Sequence, residues 1–119
     1  MAGIYDMARE LGGALARTDE YQALKRAMDA TADDRDLAEL RSRIEGLEGR
    51  IEADLRAGKE PSDELKESYT GAVEELQTLA SYQRLVAAQS NFEKVMHKVN
   101  RTVAEGIDAG AQSRIILSS

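Results

Sequence analysis

Few residues in this chain have side chains suited to catalysis or metal binding, and His97 is the first to consider. It is the only histidine in the sequence, and Glu93 precedes it by four residues, so the two side chains would share one side of a helix. Such a pair can supply two metal ligands, but a complete set needs further histidines or cysteines. Because the chain has neither, we predict a solvent-exposed histidine and no metal site.

Three pairs of neighbouring carboxylates are the remaining candidates for acid–base chemistry: Asp33-Asp34, Asp63-Glu64 and Glu74-Glu75. Neighbours in a helix point about 100° apart, and acidic residues at helix starts stabilise the helix dipole, which explains the first two pairs. The serines lack the context of a catalytic nucleophile, and no glycine-rich phosphate loop follows a strand. We therefore predict no catalytic residue, no cofactor-binding residue and no enzyme activity.

The composition indicates the fold that must position these residues. Of the 119 residues, 32% are charged and only 4% are aromatic, and there is one proline. This balance is typical of helices that pack through leucine, isoleucine and alanine. We predict an all-α fold, an elongated antiparallel hairpin or bundle of four to five helices, with one domain over residues 1–110 and a flexible tail over residues 111–119.

Helix boundaries follow from caps and turn residues. A first helix is predicted from Ile4 to Ala16, where Gly12-Gly13 weakens it so that it must be held by docking. Thr18, Asp33-Asp34 and Ser62 supply N-caps for three further helices.

The turn between the third and fourth helices is the most strongly marked boundary. Gly58 suits the left-handed conformation that ends a helix, and Pro61 prevents continuation, so the flanking helices should form an antiparallel hairpin. Two ion pairs at i,i+4, Glu39–Arg43 and Glu52–Arg56, are expected along the third helix. Its apolar seam is Leu37, Leu40, Ile44, Leu47, Ile51 and Leu55.

The longest amphipathic pattern occupies residues 81–108. Its apolar positions recur at steps of three, four and seven, which places them on one stripe of a helix about 40 Å long that requires partners along its length. Whether this helix is continuous with the preceding one or separated from it by a kink is left open. The apolar stripe consists of Leu85, Phe92, Met96, Val99, Val103 and Ile107.

The slender helices, with one phenylalanine and no tryptophan, make a small core for their length, so burial against a second copy is expected. Small residues opposite the leucine seam would let another backbone approach closely, and a solvent-exposed face is the alternative interpretation. The predicted dimer or partner interface comprises Leu40, Ile44, Gly46, Leu47, Gly49, Ile51, Ala53, Leu85, Phe92, Met96, Val99 and Val103.

Lys94, Lys98 and Arg101 form a basic face on the other side of the last helix, in a chain whose net charge is −6. RNA phosphates or an acidic partner are the ligands such a face would take. Three charges without interleaved aromatic residues favour a solvated surface, so direct nucleic-acid binding is not expected.

No segment predicts membrane insertion or export. The longest uninterrupted apolar run, Leu85-Val86-Ala87-Ala88, is far shorter than the roughly 20 residues needed to cross a bilayer. The first residues have neither the basic region nor the apolar run of a signal peptide, so we expect a cytoplasmic protein.

Several stretches, taken in order, resemble one known family. They are residues 4–11, Thr18-Asp19-Glu20-Tyr21 with Leu24-Lys25, the Asp33-Asp34 break, the Gly58-Lys59-Glu60-Pro61-Ser62-Asp63-Glu64-Leu65 turn, and the final helix from Tyr82 to Ile107 with Phe92. In this order, from about Ile4 to Ile107, the chain resembles the small helical YlbF/YmcA proteins (control of competence), including their YheA-like branch.

The resemblance implies an all-α cytoplasmic bacterial protein, often a homodimer, that acts as a regulatory adaptor without catalytic activity. Members join protein complexes that affect competence, sporulation and biofilm formation and support mRNA processing by RNase Y. Some of these complexes bind iron–sulfur clusters through cysteines, which this chain lacks, so no cluster is expected. The alternatives are an RNA-binding accessory module that uses the basic face, or a structural homodimer with a different client.

Overall fold

The computed structural model describes the backbone of residues 3–118 and the side chains of residues 3–112. This part of the chain forms five α-helices and contains no strand. The all-α, elongated fold predicted from the sequence is therefore confirmed. The helices are α1 (Ile4–Ala16), α2 (Asp19–Ala32), α3 (Arg35–Arg56), α4 (Asp63–Thr78) and α5 (Ala80–Ser118).

Side-chain caps begin α2, α3 and α4 at the residues that the sequence predicts. In each case the side-chain oxygen of the cap accepts a hydrogen bond from a backbone N–H three residues later, at 3.1 Å. Gly58 has φ +74°, the left-handed conformation expected after α3, which a side chain at this position would disfavour. The cap–donor pairs are Thr18–Tyr21, Asp34–Leu37 and Ser62–Leu65.

The helices α3 and α4 form an antiparallel hairpin with its own apolar core. On its flank, the Tyr69 hydroxyl donates to the Glu48 carboxylate at 3.0 Å, and this hydrogen bond together with the carboxylate charge raises the pKa of Tyr69. The buried side chains are Leu40, Ile44 and Leu47 of α3 with Leu65 and Ala72 of α4, packed against the partly buried Ile51, Tyr69, Val73, Leu76 and Leu79.

The ion pairs along α3 differ in part from those expected. Arg56 contacts Glu52 at 2.7 Å, as predicted. Arg43 contacts Glu75 of α4 at 3.3 Å, so the expected pairing with Glu39 was wrong. An exposed i,i+4 pair contributes only about 0.3–0.5 kcal/mol, and a carboxylate presented by the neighbouring helix can therefore replace it.

Helix α2 packs antiparallel along the first half of α5. Near its N-terminal end the rings of Tyr21 and Phe92 meet edge to face, with centroids 5.3 Å apart. Beyond its C-terminal end the Ser81 hydroxyl donates to the Asp34 carboxylate at 2.6 Å. Leu79 has extended backbone angles, φ −70° and ψ 127°, so a single non-helical residue separates α4 from α5. The two helices, whose continuity the sequence left open, are therefore not continuous.

Helix α5 dominates the shape of the molecule. It has 39 residues, about 58 Å of helix, and the molecule measures 70 × 36 × 22 Å. The Cα radius of gyration is 22.3 Å, against about 13.5 Å for a compact domain of this length. Despite its length α5 is too polar to cross a bilayer, and no other helix within residues 3–118 is suited to do so.

The predicted flexible tail, residues 111–119, overlaps the last residues of α5. The backbone is helical to Ser118, so the loss of apolar periodicity after Gly110 does not end the helix. Ser119 and the side chains of residues 113–118 lie outside the described part. The division into a domain over residues 1–110 and a flexible tail over residues 111–119 stays a prediction.

Replacing Leu40 by alanine should lower the free energy of unfolding by about 2–5 kcal/mol, because its side chain is only 3% exposed and its loss leaves a cavity in the hairpin core. Leu55→Ala is the matched control on the same helix: Leu55 is 62% exposed, so the cost should stay near 0.5 kcal/mol or less. Urea unfolding measures both. Equal costs would show that the hairpin does not pack in solution as described.

Asp34 should make stability depend on pH. The hydrogen bond from Ser81, followed by that from the Leu37 N–H, lowers the pKa of Asp34. A carboxyl group with a lowered folded-state pKa stabilises the fold above its unfolded pKa of about 3.9, and this contribution is lost as the pH falls through the folded-state value.

We therefore expect wild type to be more stable than Asp34→Asn at pH 7, and the difference to shrink progressively below about pH 4. Thermal unfolding followed by circular dichroism between pH 7 and pH 3 measures it. A difference that is constant with pH would contradict the assigned role. Asp33→Asn is the matched control, since Asp33 lies beside the cap and does not serve as its acceptor.

Candidate interaction surfaces

The predicted basic face lies on the exposed outer side of α5. Lys94, Lys98 and Arg101 are all exposed, and they fall within two turns of one helix, about 10 Å along its axis. The charges are unevenly distributed in this acidic protein: α5 carries five basic and three acidic residues, whereas α4 carries five acidic residues and one lysine. Helix α5 therefore carries an excess of basic residues although the chain is negative overall.

The predicted interface residues fall into three groups. Those of the first group are already buried within the chain. Those of the second are half-buried, Ile51 against the hairpin core and Phe92 against Tyr21 of α2. The third group is exposed. The interface itself stays a prediction. The groups are Leu40, Ile44, Leu47 and Leu85; Ile51, Phe92, Met96 and Val99; and Gly46, Gly49, Ala53 and Val103.

The small-residue face of α3 is open in this structure. Gly46, Gly49 and Ala53 are exposed, and a Cβ atom built on either glycine would meet no heavy atom within 4 Å. The protein itself therefore does not require glycine at these positions. Both interpretations made from the sequence, a solvent-exposed face and a close approach by another backbone, are compatible with this open face.

A second open surface lies between α1 and the far half of α5. Leu11 of α1 lines a groove of about 490 Å³ together with Val99 and Val103 of α5, and its edges include Glu20 and Lys98. Val103 is 50% exposed and Ile107, one turn further along α5, 65%. We call α1 together with residues 95–107 of α5 the fork.

Part of the fork could be recognised from the sequence. The spacing of Ile4, Met7 and Leu11 predicts an apolar side on α1, and Gly12-Gly13 indicates that this helix depends on docking. In the structure no residue of α1 is buried, so the rest of the chain covers this helix only in part. Sequence reasoning placed only the α5 side of the fork, through Met96, Val99 and Val103, among the candidate interface residues.

The residues considered for chemistry do not line the groove of the fork. His97 is exposed on α5, Asp34 caps α3 and accepts from Ser81, and Glu75 pairs with Arg43. Over the described residues, no three histidine, aspartate or glutamate side chains come together in an arrangement suited to a metal ion. Within the described residues, the candidate site is therefore an open helix surface.

A comparison with known protein families identifies the family of this chain. The family model described as "Control of competence regulator ComK, YlbF/YmcA" matches residues 4–108, which span all of α1 to α4 and most of α5. The chain belongs to the YlbF/YmcA family. The resemblance noted from the sequence is thereby confirmed, and the family's description associates it with the control of competence.

Curated relatives of this YlbF/YmcA protein share its length. A UPF0342 protein of Lactobacillus acidophilus is 24% identical, over 91% of this chain and 93% of the relative. A UPF0342 protein of Streptococcus agalactiae is 29% identical over 81% and 93%, and one of Staphylococcus saprophyticus is 22% identical over 88% and 92%. These names state no activity, so the functional information comes from the family description.

The double change Gly46→Ala/Gly49→Ala should raise the free energy of unfolding by about 1–2 kcal/mol. Glycine in a helix interior is less stable than alanine by about 0.5–1 kcal/mol, and the added methyl groups meet open space. Urea unfolding measures the gain. A loss of stability, or a concentration-dependent loss of association measured alongside it, would show that another backbone lies on this face in solution.

Proposed function

We propose that this YlbF/YmcA-family protein is a non-catalytic regulatory adaptor in the bacterial cytoplasm that acts by binding other regulatory proteins. The observation that carries the proposal is the match of residues 4–108 to a family described by its control of competence. The architecture supports it, since the described side chains present long helix faces and shallow open grooves, which suit protein–protein contact.

The exposed basic side of α5 is the docking face that we assign to the client. Lys94 and Arg101 lie two turns apart on an uninterrupted helix, a rigid platform on which charged groups keep fixed positions. A client with an acidic surface fits this face, because complementary charge accelerates encounter and selects the partner. Competence is the process named in the family description. Sporulation, biofilm formation and RNase Y-dependent mRNA processing, which the resemblance implies, are further processes in which we propose that the client acts.

The test is the double charge reversal Lys94→Glu/Arg101→Glu, used as bait in the native host. Lys98 is kept because it borders the groove of the fork. Quantitative mass spectrometry of the captured proteins should show the specific clients of the wild type reduced about tenfold or more, since the reversal replaces attraction by repulsion.

The matched control is Arg41→Glu/Arg50→Glu, which changes the net charge equally on exposed positions of α3. It should capture the wild-type set of clients. Recovery of nothing but the bait itself with the wild type would contradict the adaptor role, and equal losses with both variants would contradict the assignment of the face.

The same samples discriminate the RNA-binding alternative. Treating the lysate with nuclease before capture should leave the client proteins bound if they contact the adaptor directly. Purified protein should then show no salt-sensitive binding to single-stranded RNA at low ionic strength. Clients lost on nuclease treatment, together with RNA binding abolished by the charge reversal, would replace the adaptor proposal by the RNA-binding one.

A further inference from the structure

Another groove, separate from the fork, runs between α2 and the first half of α5. It has a volume of about 430 Å³, and Arg26 of α2 and Arg84 of α5 line it. The lining lies wholly within the described residues and contains no carboxylate. We call it the alanine groove, after the residues that make up most of it: Ala23, Ala27 and Ala30 of α2 with Ala87 and Ala88 of α5.

The register of α2 against α5 puts the two arginines on opposite edges of the alanine groove. The aromatic contact near one end of α2 and the hydrogen bond beyond its other end fix this antiparallel register. Arg26 is then level with Ala88, and Arg84 is level with Ala30. Each arginine therefore has an alanine across from it, and the two lie about 6 Å apart along the helix axes.

Both arginines are available to a ligand. They are exposed, and neither forms an ion pair with another described residue. The carboxylate of Asp34, at the end of α2, already accepts hydrogen bonds from Ser81 and the Leu37 N–H. A ligand that carries negative charge therefore complements the alanine groove, in a chain that is acidic overall.

The alanine groove is continuous with the basic face of α5. Positions on this helix recur at steps of three and four from the groove to the end of the basic face, which places them on one side of the helix. The stripe is about 25 Å long, equal to about 17 residues of a partner helix. Within these limits it carries four basic residues and no acidic one. Its members are Arg84, Ala87, Asn91, Lys94, Lys98 and Arg101.

A helix fits this surface better than a nucleic acid does. A third helix can pack into the groove between two antiparallel helices, and alanines leave room for its larger side chains. The alanine groove has no aromatic side chain on which bases could stack, and the net charge of −6 repels a polyanion at longer range.

We infer that the alanine groove binds an amphipathic helix of the client, with an apolar stripe that faces the alanines and acidic residues on both flanks. The inference rests on the proposed adaptor function and specifies the chemistry of the client segment. In a heptad pattern, a g position and the following e position flank the stripe on opposite sides. They are about 7.5 Å apart along the helix, close to the separation of Arg26 and Arg84.

A synthetic helix tests the inference without a client. The probe is a fluorescent peptide of about 21 residues, with leucine at a and d, glutamate at e and g, and alanine elsewhere. Its glutamates prevent the peptide from pairing with itself. Fluorescence anisotropy should show binding to the wild type that weakens with salt. The matched peptide with lysine at e and g should bind at least about tenfold more weakly.

Two variants separate charge from shape. Arg26→Glu/Arg84→Glu should weaken binding of the acidic peptide about tenfold or more, whereas the control Arg41→Glu/Arg50→Glu should change it much less. Ala87→Trp should also weaken it about tenfold or more, because the indole fills the groove at an exposed position. Ala38→Trp is the matched control at an exposed alanine of α3. Circular dichroism checks that each variant is folded.

Absence of binding to the wild type at about 1 mM protein would overturn the inference. So would equal binding of the lysine peptide, or equal losses with the groove variants and their controls.

Photo-cross-linking in the native host identifies the natural occupant. With p-benzoylphenylalanine in place of Ala87, the cross-linked segment should be a helix with an apolar stripe and Asp or Glu on both flanks. The same group in place of Ala38 should not capture it. A segment without this pattern, RNA, or a second copy of this chain at Ala87 would overturn the inference.

These outcomes are separate from those of the adaptor test. If the wild type captures no client, the adaptor role fails, and the peptide still shows whether the alanine groove selects an acidic helix. If clients are captured equally by the wild type, Arg26→Glu/Arg84→Glu and Ala87→Trp, the adaptor role stands and the assignment of the alanine groove is wrong.

Discussion

The structure depends on one constraint: the apolar stripe of α5, about 33 Å long from Leu85 to Ile107, has to be covered by α2, which is only about 21 Å long. Helix α2 covers its first half, where Tyr21 meets Phe92, and the turn at Leu79 brings the α3–α4 hairpin to its beginning. The hairpin has its own core, so it adds little to the cover of α5. This imbalance between one long element and several short ones gives the molecule its elongated shape and leaves the fork open.

The helix boundaries could be predicted because their causes are local. A cap such as Ser62, or a left-handed glycine such as Gly58, acts within a few residues of itself, so the sequence window contains the whole interaction. The break at Leu79 could not be predicted, since no glycine or proline marks it and leucine adopts extended and helical angles alike. The pairing of Arg43 with Glu75 was missed for the related reason that its partner is 32 residues away.

The candidate surfaces were predictable only in part, because periodicity shows which side of a helix is apolar but not what lies against it. Leu40 and Val103 both belong to regular apolar stripes, yet one is 3% exposed and the other 50%. The difference is set by the lengths and directions of neighbouring helices, which are global properties. Ala72 and Ala88 illustrate the converse: both are buried, but a small side chain gives no hydrophobic signal that distinguishes a core position from a surface one.

The uneven distribution of charge between α4 and α5 affects which charged molecules each part of the surface attracts. Electrostatic fields in physiological salt decay over about 8 Å, and Lys94 lies about 20 Å along α5 from the helix start at Ala80. A macromolecule that contacts the basic face is therefore influenced mainly by the charges near that face, and less by the overall charge of −6. The net charge of the whole chain is therefore a poor guide to which ligands this face would attract.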